Sequence, residues 1–317
     1  MRGFDFDPNR LNERPLPTRR RAVSLTAAAL ASMGFSMRGR AETQTRIRAV
    51  ATFSILGDLA GNVGGERAQV TTLVGPNGDV HVYVPTPGDA KTMAAANMVC
   101  VNGLGLEGWI DRLIAASGTR ALVVVASRGV ITRSGRSLRN GAASDPHAWQ
   151  SVSNAKIYIA NIRDGLIAAD PAGEKIYQAN AAAYLAKLDM LDAEIKAAID
   201  RIPAARRKVI TAHSAFGYFG DAYGIAFAAP EGLSTDAEPS ARDIAKLIEQ
   251  IRRENIPAVF LENIADPRLV QRIAEETGAK IGGPLYSDAL SPPGGPADTY
   301  IAMMRGNVRE LTRVLMP

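Results

Sequence analysis

Cysteine, histidine and long apolar runs are scarce in this 317-residue sequence. The single cysteine, Cys100, rules out an intramolecular disulfide, and its place in the apolar run MVCVNG predicts a buried side chain. A weakly apolar stretch at 22–37 is interrupted by Ser, Thr and Gly and is too short to span a bilayer. These shortages exclude a disulfide-stapled scaffold and make the N-terminal stretch a poor membrane anchor.

Residues 1–41 have the layout of an export signal peptide. Three arginines, Arg19 to Arg21, precede the apolar stretch, and Gly39-Arg40-Ala41 forms a small-x-small cleavage site. The tandem arginines favour the twin-arginine route, with ordinary secretion as the alternative. No lipobox cysteine stands directly after the leader, so we expect no lipid anchor. The predicted location is the periplasm.

The predicted leader also explains the basic isoelectric point of about 9.4. It holds eight of the 37 basic residues and three of the 32 acidic ones, which leaves 29 of each in the mature chain. A mature chain without net charge gives no reason to expect nucleic acid or an anionic membrane as a partner.

Short apolar runs rich in Val and Ile alternate with helical patterns along the mature chain. This alternation predicts an α/β fold with mainly parallel sheets flanked by helices. The predicted strands are 47–53, 68–74, 98–103, 121–126, 208–213, 225–229, 258–263 and 279–283, and the predicted helices are 55–63, 87–96, 104–117, 239–254, 266–278 and 297–315.

One long helix is predicted between the two sets of strands. Asp170 and Pro171 form a helix start, and an apolar stripe runs from Tyr177 to Ala198, so a helix of about 31 residues and about 46 Å is expected. We therefore divide the chain into an N-terminal lobe (42–169), a linker helix (170–202) and a C-terminal lobe (203–317). A coiled-coil arm is the alternative for the helix.

Two segments are predicted to be irregular. Residues 128–144 contain four arginines, several Gly and Ser and no acid, which is typical of a mobile surface loop. Residues 291–296, SPPGGP, predict a fixed turn.

The three histidines occupy similar positions in the predicted fold. His81 lies seven residues after a strand, His213 directly follows the apolar run KVITA, and His147 precedes a helix that begins near Ser151. Ligands gather at the carboxyl ends of parallel strands, and imidazole is the commonest metal ligand in proteins. The pattern therefore favours a metal site. Asp288, in a turn before Pro292 and Pro293, is the candidate fourth ligand.

Five segments resemble the metal-binding solute-binding proteins of ABC importers, the cluster A-I or TroA-like family, and are most similar to its zinc-binding AztC type. The resemblance covers 47–317 and rests on HVYVPTPGDA, NGLGLEGW, DPHAWQSVSNAKIYIANI, TAHSAFGYFGDAYGI and LYSDALSPPGGPADTYIAMMRGNV. It implies two α/β lobes joined by one long helix, with the metal held between them by His81, His147, His213 and Asp288.

The resemblance further implies a periplasmic zinc-binding protein that delivers its ion to an ABC permease and its ATPase. It would be a monomer without catalytic activity and would meet the membrane only through the permease. The histidine-rich and acidic run of many zinc-specific members is missing from 128–144, which favours delivery by a periplasmic zinc metallochaperone. Because zinc needs neutral imidazoles, we expect the affinity to fall below a pH of about 6.5.

Alternative functions follow from the same residues. A manganese- or iron-binding member of the family is one, and family members that carry manganese typically have a carboxylate at the position of His213. A zinc-dependent hydrolase or lyase, with three histidines, a bound water and Asp288 as base, is another. A binding module for an organic solute is the third.

Other polar and aromatic residues have supporting roles in this interpretation. Asp79 and Asp145, each two residues before a histidine, and Glu262 are candidates to orient an imidazole. Glu107 is a candidate ligand only in place of Asp288. The remaining aromatic candidates are expected to pack the cleft wall: Tyr83, Trp109 and Trp149.

Overall fold

The computed structural model describes residues 46–137 and 141–317, so the predicted signal peptide at 1–41 lies outside the described residues. Two four-stranded parallel sheets organise this part of the chain, as the sequence predicts. The first sheet has the order β2-β1-β3-β4, and its strands are β1 (Ile47–Phe53), β2 (Ala68–Val74), β3 (Met98–Val101) and β4 (Leu122–Val125). The second has the order β10-β9-β7-β8, and its strands are β7 (Lys208–Ile210), β8 (Ala226–Ala228), β9 (Ala258–Glu262) and β10 (Lys280–Leu285).

Helices cover both sheets. They are α1 (Ser54–Gly64), α2 (Pro87–Ala94), α3 (Ile110–Ser117), α4 (Val152–Ala169), α5 (Glu174–Asp200), α6 (Gly217–Tyr223), α7 (Ala241–Glu254), α8 (Pro267–Thr277) and α9 (Tyr300–Leu315). Within the described residues, no helix is both long and apolar enough to cross a membrane.

The long linking helix is shorter than the sequence predicts. A 3₁₀ turn at Pro171–Gly173 precedes the 27-residue α5, which is about 40 Å long. The side chain of Asp170 does not cap the 3₁₀ turn. The Asp170 carboxylate instead accepts hydrogen bonds from Arg67 at 2.9 Å and from the Tyr177 hydroxyl at 2.7 Å. The predicted apolar stripe is otherwise present. The buried positions of α5 are Tyr177, Ala181, Tyr184, Leu188, Leu191, Ile195 and Ile199.

The main apolar core continues from the first sheet through α5 to α9. Buried side chains such as Phe53, Leu188 and Met303 belong to one cluster, while a smaller cluster lies between the second sheet, α7 and α8. Residues Thr45–Pro317 form one compact unit by their contacts. The lobe boundaries at 170 and 203 stay a prediction.

The prediction of an irregular loop at 128–144 is wrong for residues 134–137 and 141–144, and residues 138–140 lie outside the described residues. Strands β5 (Ser134–Ser137) and β6 (Gly141–Ser144) pair antiparallel, with Ser134 opposite Ser144. The pattern of Gly, Ser and Arg hides this hairpin because it carries no alternation of apolar residues. The turn at 291–296 is confirmed, since the backbone N–H of Ser291 donates to Ala297 O at 2.9 Å across it.

The predicted helix at 104–117 begins only at Ile110. Three consecutive residues, Gly103, Leu104 and Gly105, have φ angles of +82°, +56° and +81°. This left-handed backbone cannot continue a right-handed helix, and glycine adopts it most readily. The resulting turn lets Glu107 accept the backbone N–H groups of Asn102 and Gly103.

Candidate metal centre

All four predicted ligands lie in segments beyond the carboxyl ends of strands. His81 follows β2, His147 follows the hairpin that comes after β4, His213 follows β7, and Asp288 follows β10. Each side chain is buried: the His81 side chain is 3 % exposed and the other three are 0 % exposed. The two sheets therefore bring together residues that are far apart in sequence.

The candidate ligand atoms form a small cluster. Asp288 Oδ2 lies 3.1 Å from His81 Nε2 and 3.1 Å from His213 Nε2, and Asp288 Oδ1 lies 3.6 Å from His147 Nε2. The Nε2 atoms of His81 and His147 are 3.3 Å apart. Within the described residues, one ligand atom from each of the four lies within 4.8 Å of the other three.

These separations suit a tetrahedral metal ion. Ligand atoms at 2.0–2.1 Å from a tetrahedral ion are about 3.3–3.4 Å apart, and the four contacts above bracket that value, while the remaining pairs lie within 4.8 Å. Asp288 Oδ1 is buried without a hydrogen-bond partner in the described part of the chain. A buried carboxylate oxygen without a donor is costly in a protein interior, and a cation at the centre of the cluster would satisfy it.

His147 is oriented by Asp145. Asp145 Oδ1 accepts the backbone N–H of His147 at 3.0 Å and lies 2.8 Å from the ring Nδ1. Burial alone would raise the pKa of Asp145, but the contacts with His147 and Arg133 hold it below its ordinary value. The carboxylate therefore stays ionised and keeps Nε2 of His147 directed at the cluster.

His213 has a similar partner at the end of β9. Glu262 Oε1 accepts the backbone N–H of His213 at 2.9 Å, and Glu262 Oε2 lies 2.7 Å from the ring Nδ1. Burial disfavours protonation of His213, yet the carboxylates of Glu262 and Asp288 outweigh it and hold the pKa of His213 well above 6.5. The same pairing with imidazoles holds the pKa of Asp288 well below its ordinary value despite its burial.

His81 is positioned through its backbone. Asp79 Oδ1 accepts the His81 N–H at 2.9 Å, and Asp79 Oδ2 accepts the hydroxyl of Thr235 at 2.6 Å. Asp79 thus supports the loop and not the ring, and it ties this loop to one in the second half of the chain. Thr235 had no signal in the sequence, because its role depends on that long-range contact.

The predicted wall residues support the loops, and the ring of Trp149 also packs edge-on against the ring of His147, with the ring centres 5.3 Å apart. Trp109 donates its indole N–H to Val80 O at 2.9 Å and contacts Tyr83 with a ring-centre separation of 5.1 Å. The indole of Trp149 donates to Ser287 O at 2.9 Å, directly before Asp288. Glu107 is not part of the cluster, because its carboxylate is occupied by the Thr52 hydroxyl and by backbone N–H groups.

Comparison with known proteins identifies a family. A family model described as "ZnuA: Zinc-uptake complex component A periplasmic" matches residues 49–314. The manganese-binding lipoprotein MntA of Halalkalibacterium halodurans is 34% identical over 286 residues, which cover 90% of this chain and 94% of MntA. The iron-binding protein YfeA of Yersinia pestis is 32% identical over 301 residues, which cover 94% of this chain and 96% of YfeA.

The fold is also shared with solved structures. The periplasmic zinc-binding protein TroA of Treponema pallidum aligns with a TM-score of 0.81 and 29% identity, over 86% of this chain and 100% of the TroA chain. The names of these three similar proteins mention manganese, iron and zinc. The comparisons therefore give the class of ligand and leave open which metal this chain carries.

Proposed function

This chain belongs to the family of periplasmic metal-binding components of ABC importers, and from that premise we propose that its cargo is zinc, bound by His81, His147, His213 and Asp288. Members of this family are transport proteins and not enzymes, and they deliver their ion to a permease and its ATPase. The hydrolase and lyase alternatives are therefore set aside. Location in the periplasm, after removal of residues 1–41, belongs to the same proposal.

The composition of the ligand set carries the choice of zinc. Three imidazoles and one carboxylate suit a tetrahedral ion, whereas manganese prefers more oxygen ligands and a higher coordination number. A carboxylate in place of His213 would move the site toward manganese.

One observation supports manganese as the second candidate. Both oxygens of Asp288 face imidazole nitrogens, at 3.1 and 3.6 Å, so a bidentate carboxylate could raise the coordination number to five. The manganese-binding relative MntA is consistent with this possibility. Capture of the ion from a metallochaperone and the likeness to the AztC type stay predictions.

Competition titration of the metal-free protein with zinc and manganese tests the proposal. We expect zinc to bind at least tenfold more tightly, which is about 1.4 kcal/mol. His213→Glu should narrow the ratio, because it exchanges a nitrogen for oxygen donors. The new carboxylate would face Glu262, so a His213→Glu/Glu262→Gln double variant serves as the matched control without that repulsion.

The proposal fails if the wild-type protein prefers manganese. It also fails if both His213 variants keep the wild-type zinc-to-manganese ratio, since His213 would then not contribute to the choice of metal. Circular dichroism of each variant shows whether the fold is retained, so that a loss of affinity can be assigned to the site.

A further inference from the structure

Arg133 connects the metal cluster to the second half of the chain. Its Nη1 donates to Asp145 Oδ2 at 3.1 Å, and its Nε donates to Asp221 Oδ2 at 2.9 Å. Asp145 belongs to the segment that carries His147, whereas Asp221 lies in α6, which begins four residues after His213. One guanidinium group therefore bridges the segments of two candidate ligands.

The two oxygens of Asp145 have separate partners. Oδ1 contacts the backbone N–H and the ring of His147, and Oδ2 accepts from Arg133. A carboxylate held at both oxygens cannot rotate about its terminal bond without breaking one of these contacts. The orientation of the His147 ring consequently depends on a group that does not touch the ring.

The backbone around Arg133 is fixed as well. The Arg133 N–H donates to the Tyr218 hydroxyl at 3.1 Å, and that hydroxyl donates to Asp145 O at 3.2 Å. Asp145 N–H donates in turn to Arg133 O at 2.9 Å, which closes the base of the hairpin. The Arg133 side chain therefore extends from a backbone that these hydrogen bonds hold in place.

Gly217, the first residue of α6, provides the space for the guanidinium group. A Cβ atom at this position would lie 1.5 Å from Arg133 Nη1 and 2.7 Å from Asp145 Oδ2. Any other residue would displace this ion pair. The absence of a side chain at Gly217 is thus a second, independent feature that serves the contact between Arg133 and Asp145.

We propose that Arg133 is a positioning residue of the metal site, which holds Asp145 so that His147 presents Nε2 to the ion and which links this orientation to α6. The inference rests on the proposed function, because it assigns His147 as a ligand. Replacement of a group behind a metal ligand typically costs 10–100-fold in affinity, and Arg133 acts through one further residue. We therefore expect the lower end of that range.

Zinc competition titrations of Arg133→Gln, Arg133→Lys and Gly217→Ala test the inference. Arg133→Gln should bind zinc about tenfold more weakly than the wild type. Arg133→Lys keeps the positive charge but not the several N–H donors of the guanidinium group, so its zinc affinity should lie between those of the wild type and Arg133→Gln. Gly217→Ala should also weaken binding, and by less in the Arg133→Gln background, because both changes act on one contact. Arg305→Gln is the matched control, since Arg305 pairs with Glu194 between two helix surfaces.

A spectroscopic readout separates positioning from a purely structural role. The chain contains three histidines, so a ¹⁵N-histidine spectrum shows three imidazoles. In the zinc-bound protein, the His147 signals should shift in Arg133→Gln and in Gly217→Ala and return toward the wild-type position in Arg133→Lys.

Lower thermal stability with unchanged zinc affinity and unchanged His147 signals would overturn the inference while leaving the proposed function intact. If the wild-type protein binds neither zinc nor manganese, the proposed function fails and the inference fails with it.

Discussion

Metal binding should release a proton near neutral pH, and His213 is the group that supplies it. The metal ion needs the neutral imidazole, but Glu262 and Asp288 hold the pKa of His213 well above 6.5 in the metal-free protein. Asp288 itself stays ionised, because its pKa is held well below its ordinary value. The sequence alone places the loss of affinity below about pH 6.5, and the structure moves its onset to higher pH.

The magnitude follows from linkage. Below the pKa of His213, one proton must leave for each ion bound, so zinc affinity should fall about tenfold per pH unit, or about 1.4 kcal/mol. A drop from pH 7.5 to 6.5 should therefore weaken zinc binding, by up to about tenfold. The free energy of unfolding of the metal-free protein should instead rise as the pH falls. A raised histidine pKa contributes stability that is fully present below pH 6.5 and is lost as the pH rises through the pKa of the folded state.

Calorimetric titration with zinc at pH 7.5, in buffers of different ionisation enthalpy, measures the number of protons released. We expect a release of up to one proton from His213. Burial also raises the pKa of the nearby Glu231 to about 7, so Glu231→Gln is the control that removes its contribution. Glu262→Gln should move the pH dependence to lower pH. Zero protons released in both the wild type and Glu231→Gln, with equal affinities at pH 7.5 and 6.5, would refute the reasoning.

Two further predictions concern orientation and motion. Asp145→Asn should lower zinc affinity 10–100-fold, because Asp145 contacts the His147 ring directly. Asp221→Asn should have a smaller effect, because it removes only the contact of Arg133 that points away from Asp145. Equal effects of the two variants in competition titrations would contradict this prediction. Metal binding should leave the radius of gyration from X-ray scattering almost unchanged, because the 27-residue α5 packs along the core. Hydrogen exchange should slow in the loops that carry the candidate ligands. A large contraction on metal binding would contradict this prediction.

Regular elements with strong local patterns could be predicted closely. The predicted strands 47–53 and 68–74 have the observed bounds of β1 and β2, because both are short runs rich in β-branched and apolar residues. Helices with caps were similarly clear. Thr86, for example, starts α2 with a capping box to Asp89.

Elements that depend on distant contacts could not be predicted. The seven-residue α6 has two glycines and little helical propensity, and it is held by the contacts of Tyr218 and Asp221 with Arg133, 85 and 88 positions away. The hairpin β5–β6 is fixed at its base by Tyr218 and Arg133. Neither element has a local signal, because the residues that stabilise it lie more than 80 positions away or come together only in the fold.

The candidate site shows the same division. The sequence predicted His81, His147, His213 and Asp288 as candidate ligands, since each follows a strand or a turn in a segment with a family resemblance, and in the structure the four side chains lie together. The roles of the supporting groups needed coordinates. Asp145 and Glu262 contact the rings of His147 and His213, whereas Asp79 contacts the backbone N–H of His81. The sequence placed Arg133 in a surface loop and gave no sign of its contact with Asp145.

The wide spacing of the four candidate ligands has a consequence for the order of events during folding. His81 and Asp288 are 207 positions apart and meet at 3.1 Å, so a chain must close very long loops before the cluster exists. Closing such loops has an entropic cost that an early, partly ordered chain has not yet offset. Metal capture should therefore be a late step in folding and not a nucleation event, so tight metal binding reports that a molecule has finished folding.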